Sequence, residues 1–167
     1  MNDINVFICF LCFISVSTSS LKDLPNACFN YKELTHESRL WESATQSGTE
    51  SDYNLQKGWY RVVGNAGNAL KQGRPVDPST VPLNHCGTKY SGTLLGQHPD
   101  ESEGVVPMTV CFRDKFCYQK ADIECPCQKE KVVYVQNCRN HYIYWLSPTG
   151  QEDRYCTGQV SMKPPTG

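Results

Sequence analysis

Surplus charge, membrane-length apolar runs and enzyme motifs are all missing from this sequence. Its 167 residues hold 16 Lys and Arg against 17 Asp and Glu. That balance supplies no electrostatic attraction for nucleic acid or an anionic membrane. No apolar run reaches the roughly 20 residues of a spanning helix. The chain stops at KPPTG without a hydrophobic tail, so neither membrane insertion nor a lipid anchor is expected. G-x-G-x-x-G, GK[ST], GxSxG and the EF-hand pattern do not occur, which removes the usual signatures of nucleotide binding, serine hydrolysis and calcium binding. Asn-x-Ser and Asn-x-Thr are absent as well. Only the rare Asn-x-Cys form is present, at Asn26-Ala27-Cys28 and Asn84-His85-Cys86.

Residues 1–20 supply the first positive signal. Val6 to Ile14 is continuously apolar, and small polar residues follow up to Thr18, Ser19 and Ser20. A short apolar core ahead of small residues predicts a secretory signal peptide, although the usual basic residue near the start is replaced by Asp3. The competing reading is a buried N-terminal strand. Removing this segment takes away one acid, no base, and Cys9 and Cys12.

Eight cysteines remain: Cys28, Cys86, Cys111, Cys117, Cys125, Cys127, Cys138 and Cys156. An even number in an oxidising route predicts a disulfide framework. Zinc is the rival, but the eight contain no CxxC pair, and no histidine stands at ligand spacing from the close CPC pair. The roughly 147 residues left suit one domain with a modest core. The whole chain carries 12 Gly and 10 Pro, so a loop-rich domain stitched by its bridges is expected.

Hydrophobic period predicts a mainly β, small α+β domain with short helical pieces. Tyr31, Leu34 and Trp41 could share one face of a helix over 30–43. Trp59 to Val63 reads as a strand, and Gly104 to Phe112 as a strand broken near its start by Pro107. The strongest element is KVVYVQNCRNHYIYWL, residues 131–146. Two β-rich runs flank Cys138, Arg139 and Asn140, with Asn140 available for a left-handed turn position, which predicts a β-hairpin. Alternation sets Val133 and Val135 against Val132 and Tyr134, and Ile143 and Trp145 against Tyr142, Tyr144 and Leu146. Both faces are apolar, so the hairpin is expected at the centre of the sheet. Residues 71–107 read as a long polar, turn-rich stretch.

Two loops invite a chemical reading. GWYRVVGNAGNAL, residues 58–70, begins as some phosphate-binding turns begin, yet Gly64 and Gly67 lack the rest of a nucleotide motif. They read as backbone punctuation, with Trp59 and Tyr60 in the core. HPDESEG places His98 close to Asp100, Glu101 and Glu103. A small secreted hydrolase or metal site could use that set, whereas a solvated acidic loop is the plainer meaning.

Taken in order, the motifs resemble a known module. Cys28 with Tyr31 and Leu34, Trp41, Gly58-Trp59-Tyr60-Arg61 with Gly64 and Gly67, Cys86-Gly87-Thr88, the segment containing His98, Pro99, Glu103 and Gly104, Cys111, VYVQNC with YIYWL, and Tyr155-Cys156 recur in this order. The pattern is similar to the cysteine-rich extracellular domain shared by uromodulin, the major glycoprotein of pancreatic secretory granule membranes and many invertebrate mosaic proteins. It spans Asn26 to Thr157 of this chain, which leaves 158–167 as a C-terminal tail.

The resemblance implies the bridges Cys28–Cys138, Cys86–Cys156 and Cys111–Cys127. Other cysteines of the ten-cysteine version are absent here, which leaves Cys125 to pair with Cys117. The alternative is Cys111–Cys117 with Cys125–Cys127, a link across Pro126 that strains disulfide geometry. The family's glycan decoy for bacterial lectins is not implied, because Trp145 stands where the decoy carries its glycosylated Asn. What the resemblance implies instead is a secreted, non-catalytic recognition, adhesion or spacer module of an extracellular mosaic. It would need no cofactor or metal, and its partner would be an extracellular protein or carbohydrate. Trp145 reads either as an exposed contact or as a core residue.

Overall fold

The computed structural model describes residues 27–73, 84–114 and 127–162. The expected signal peptide, Cys117, Cys125 and the last residues of the tail lie outside these. Nine strands are present among the described residues: β1 (Lys32–Leu34), β2 (Gly58–Val62), β3 (Ala69–Leu70), β4 (Tyr90–Leu94), β5 (Val105–Asp114), β6 (Lys129–Asn137), β7 (Tyr142–Leu146), β8 (Asp153–Tyr155) and β9 (Thr157–Gly158). Seven form one sheet in the order β1-β2-β7-β6-β5-β4-β8, and β3 pairs with β9. Among the described residues the helical pieces are single 3-10 turns, so the protein is a mainly β, loop-rich, disulfide-bonded domain.

β5, β6 and β7 run as an antiparallel meander, with β2 antiparallel to β7. β1 and β8 close the two edges in parallel pairings with β2 and β4. The hairpin therefore occupies the third and fourth positions of seven, as its two apolar faces require. Its inner face carries Val133, Val135, Tyr142, Tyr144 and Leu146, which pack with Tyr60, Val62, Leu94, Val110, Phe112 and Tyr155. Ala66, Ala69 and Leu70 belong to the same core. Each fully buried aliphatic side chain there contributes roughly 1.5–3 kcal/mol.

Several local expectations are corrected. Residues 30–43 form no α-helix: β1 and a 3-10 turn (Glu37–Arg39) replace it. Leu34 enters the main core, whereas Trp41 packs against Cys86 and Cys156, with its ring stacked 3.8 Å from that of His85. Two separate tertiary sites thus use residues that a helix would have put on one face. β5 is not broken at Pro107, which stays in register opposite Tyr134. β4 pairs with β5 only from Val110 onward, so one side of β5 at Pro107 lacks a neighbouring strand, and a missing N–H is tolerated there.

In the hairpin, the left-handed residue is Arg139 (φ 72°), not Asn140. The Asn137 carboxamide oxygen accepts the Arg139 N–H at 2.9 Å, and this bond holds the turn in place of an αL asparagine. The polar 71–107 stretch is described over 71–73 and 84–107. It contains β4, whose Ser91, Gly92, Thr93 and Leu94 are buried between β5 and β8.

Gly67 shows what the two-glycine loop is for. Gly64 opens a 3-10 turn (Gly64–Ala66), and Gly67 caps it at φ 94°. A Cβ on Gly67 would lie 2.4 Å from the carbonyl oxygen of Gly158. The glycine lets the loop meet β9 backbone to backbone; it does not cradle a phosphate.

Candidate recognition surface

The acidic loop is built as a clamp over the hairpin. His98 points inward, its Nε2 lying 2.8 Å from the Tyr144 hydroxyl, which also accepts the Leu70 N–H at 3.1 Å. Burial pushes the His98 imidazole down to about 4, so it is neutral at physiological pH. Asp100 and Glu103 form the two halves of a capping box around the turn Glu101–Glu103. Glu101 turns to the hairpin tip, where it accepts from Arg139 Nε at 2.7 Å. Asn137 Nδ2–H donates to the Pro99 carbonyl at 3.1 Å. Sequence proximity gathered His98 and three acids; the fold gives each a different structural partner. No group of three His, Cys, Asp or Glu suited to a metal exists among the described residues.

The other face of the sheet has a different character. Side chains alternate along each strand, so Trp59, Arg61, Ile143, Trp145, Val132, Tyr134, Gln136, Val105 and Pro107 point away from the main core. Register places Trp59 opposite Trp145, Trp145 opposite Tyr134, and Tyr134 opposite Pro107. One continuous row thus crosses four strands. Trp59 is buried, Trp145 and Tyr134 are partly buried, and Pro107 is exposed. The two indoles meet edge to face at 5.6 Å, a geometry their quadrupoles favour. Lys57 Nζ stands 6.0 Å from the Trp145 ring, and Val132 is 59% exposed next along β6. Trp145 is therefore packed against the cluster of Ala27, Trp59 and Ile143 and remains partly exposed.

Beside this row, the turn Ala27–Phe29 is tied to the hairpin tip by Cys28–Cys138, with Cα atoms 5.7 Å apart. Arg61 on β2 donates from Nη1 to the Tyr31 hydroxyl at 2.9 Å, and Tyr31 meets His141 edge to face at 5.5 Å. Burial first, and the Arg61 charge second, pull the His141 pKa below its usual value. Phe29 is 81% exposed. Phe29 was missed in the sequence because a lone apolar residue next to a cysteine carries no period. Arg61 was visible only as part of a structural signature.

Two further bridges link Cys86 to Cys156 and Cys111 to Cys127. Asn84, in the second Asn-x-Cys triplet, is buried and donates from Nδ2 to the Gln46 carbonyl at 2.8 Å. Its amide is therefore inaccessible to glycosylation once the domain has folded. Asn26 lies outside the described residues.

A small β domain held by long-range disulfides, with an aromatic outer face, defines the class of cysteine-rich modules. Residues 60–157 match the model of the uromodulin-like domain. The chain is 33% identical to mouse uromodulin over 141 residues, which cover 81% of this chain and 19% of that protein. It belongs to the uromodulin-like domain family. The shared region spans about a fifth of the relative's length.

Proposed function

We propose that this chain is a secreted, non-catalytic recognition or adhesion module, used as a building block of extracellular assemblies. It needs neither cofactor nor metal, and its partner is an extracellular protein or carbohydrate. The row Trp59–Trp145–Tyr134–Pro107 carries the reading, because partly exposed aromatics on a rigid central hairpin supply contact area at little conformational cost. Family membership and the leader-like residues 1–20 support the extracellular setting. We take residues 26–157 as the functional unit. The decoy role does not extend to this chain, which has no Asn-x-Ser or Asn-x-Thr. The use of His98, Asp100, Glu101 and Glu103 in clamping the hairpin favours binding over hydrolysis.

The test is capture from native extracellular fluid on immobilised oxidised protein, with Trp145→Ala and Tyr134→Ala in parallel. The wild type is expected to retain partners that the two variants release while their circular dichroism stays native. Retention that is the same for the wild type, both variants and the reduced protein would leave a pure spacer. Expression in secretory cells should yield a product starting near residue 21.

A further inference from the structure

A cavity of about 430 Å³ lies between the amino-terminal turn and the hairpin tip, lined chiefly by Phe29, Tyr31, Arg61, Arg139, Asn140 and His141. The Cys28–Cys138 bridge forms part of its wall and joins its two sides covalently. The volume falls within the range of small-ligand pockets. The bridge fixes the spacing of the two sides before any ligand arrives, which lowers the ordering cost of binding.

Arg61 gives this cavity its chemical sense. A guanidinium offers five N–H donors, and among the described residues only Nη1 is engaged, on the Tyr31 hydroxyl. No carboxylate pairs with Arg61 among the described residues. Its cross-strand neighbour Glu33 on β1 is exposed and does not close an ion pair. Nε is buried without a hydrogen-bond partner. A partly buried cation in this state is short of an anion, and a carboxylate reaching the remaining Nη2 would answer its charge. Arg139 adds a second positive charge at the rim, already half-answered by Glu101.

The remaining walls select the kind of carboxylate. Phe29 exposes its ring, and Tyr31 and His141 turn aromatic surface to the same space. Asn140 is exposed at the rim, and with its Oδ1 2.6 Å from His141 Nδ1 it has its Nδ2–H to offer. An extended acidic peptide would want free backbone groups beside the guanidinium. At the hairpin tip these are taken: Cys138 N–H donates to the His141 carbonyl at 2.8 Å, and Asn140 N–H to the Cys138 carbonyl at 3.0 Å. A compact ring with one carboxylate, an apolar C–H face and peripheral hydroxyls matches the side chains better.

We propose that this cavity binds an acidic sugar, with its carboxylate at Nη2 of the Arg61 guanidinium, its ring face against Phe29 and its hydroxyls toward Asn140 and Arg139. The proposal rests on the extracellular recognition reading and names a ligand class for it.

The test is an NMR titration of the oxidised, processed full chain with N-acetylneuraminic acid and glucuronic acid. N-acetylmannosamine, glucose and an Asp-containing tripeptide serve as comparators. Saturable shifts from the acidic sugars at Phe29, Tyr31, Arg61 and His141 are expected, with none from the neutral sugars. Arg61→Lys, which keeps the charge and loses Nη2, should weaken binding about tenfold or more. Phe29→Ala, at an exposed position where folding is not at stake, should weaken it about fivefold. The site is overturned by no saturable shift, by equal shifts from neutral sugars, by peptide binding here without sugar binding, or by unchanged affinity in Phe29→Ala. Trp145-dependent capture that persists without sugar binding would overturn this site alone and leave the recognition reading standing.

Discussion

Arg39 and Asp52 meet inside the domain as a two-pronged ion pair, with Nη1 2.9 Å from Oδ2 and Nη2 bonded to Oδ1. Asp52 Oδ2 also accepts the Tyr155 N–H at 2.9 Å, and Arg39 Nη1 donates to the Tyr155 carbonyl. The pair thus anchors the loop around residue 52 to edge strand β8. Removing one member of a buried, hydrogen-bonded pair typically costs about 3–5 kcal/mol, because the other is left unanswered. Asp52→Ala should lower stability by that order in urea unfolding under oxidising conditions, and a loss within the error of the control would refute the anchor.

His98 links stability to pH. Its folded pKa of about 4 lies below the unfolded value of about 6.5, because burial opposes the charged form. The unfolded chain therefore binds the proton first as pH falls. The contribution of neutral His98 is complete above about pH 6.5, is lost on descending toward pH 4, and totals about 3 kcal/mol. Urea midpoints measured between about pH 7.5 and pH 4 should show this slope. His98→Phe should flatten it, and an unchanged slope in that variant would assign the effect to other groups.

The two loop glycines should behave differently. Gly64 has φ 62° with open space around its Cβ position, whereas Gly67 combines φ 94° with the Gly158 oxygen at 2.4 Å. Gly64→Ala is expected to cost about 1 kcal/mol, and Gly67→Ala about 3 kcal/mol or more, since β3 and β9 must separate. Thermal melts of the two variants compare them directly, and equal losses would contradict the backbone contact.

Cysteine connectivity yields a chemical test. With Cys28, Cys86, Cys111, Cys127, Cys138 and Cys156 joined in three bridges, Cys117 and Cys125 are the remaining two of the eight. Peptide mapping without reduction should recover a Cys117–Cys125 link. A Cys125–Cys127 fragment would point to the alternative pairing.

Much of the sheet was legible because its central strands carry apolar side chains on both faces. Trp59 to Val62 and residues 131–146 carry large or β-branched side chains at successive positions, a pattern that only a central strand satisfies. Where a position is set by close approach, the signal vanishes. In β4, a Cβ on Gly92 would lie 2.5 Å from the Phe112 ring and 2.8 Å from the Arg154 carbonyl. The strand therefore needs the small, polar composition that made it read as a loop.

By itself, the sequence determined a cysteine-rich pattern, a mainly β domain, a central hairpin and the family, because these depend on residue type, period and order. Only the tertiary structure decided that His98 turns inward to Tyr144 instead of joining three acids, that Trp41 leaves the face of Leu34, and that Trp59, Trp145, Tyr134 and Pro107 line up across four strands. The same holds for Arg61, which lines a cavity walled in part by Cys28 and Cys138, residues 110 apart in the chain. Partners at such separations are chosen by register and chain closure, and neither is written in the neighbourhood of any one residue.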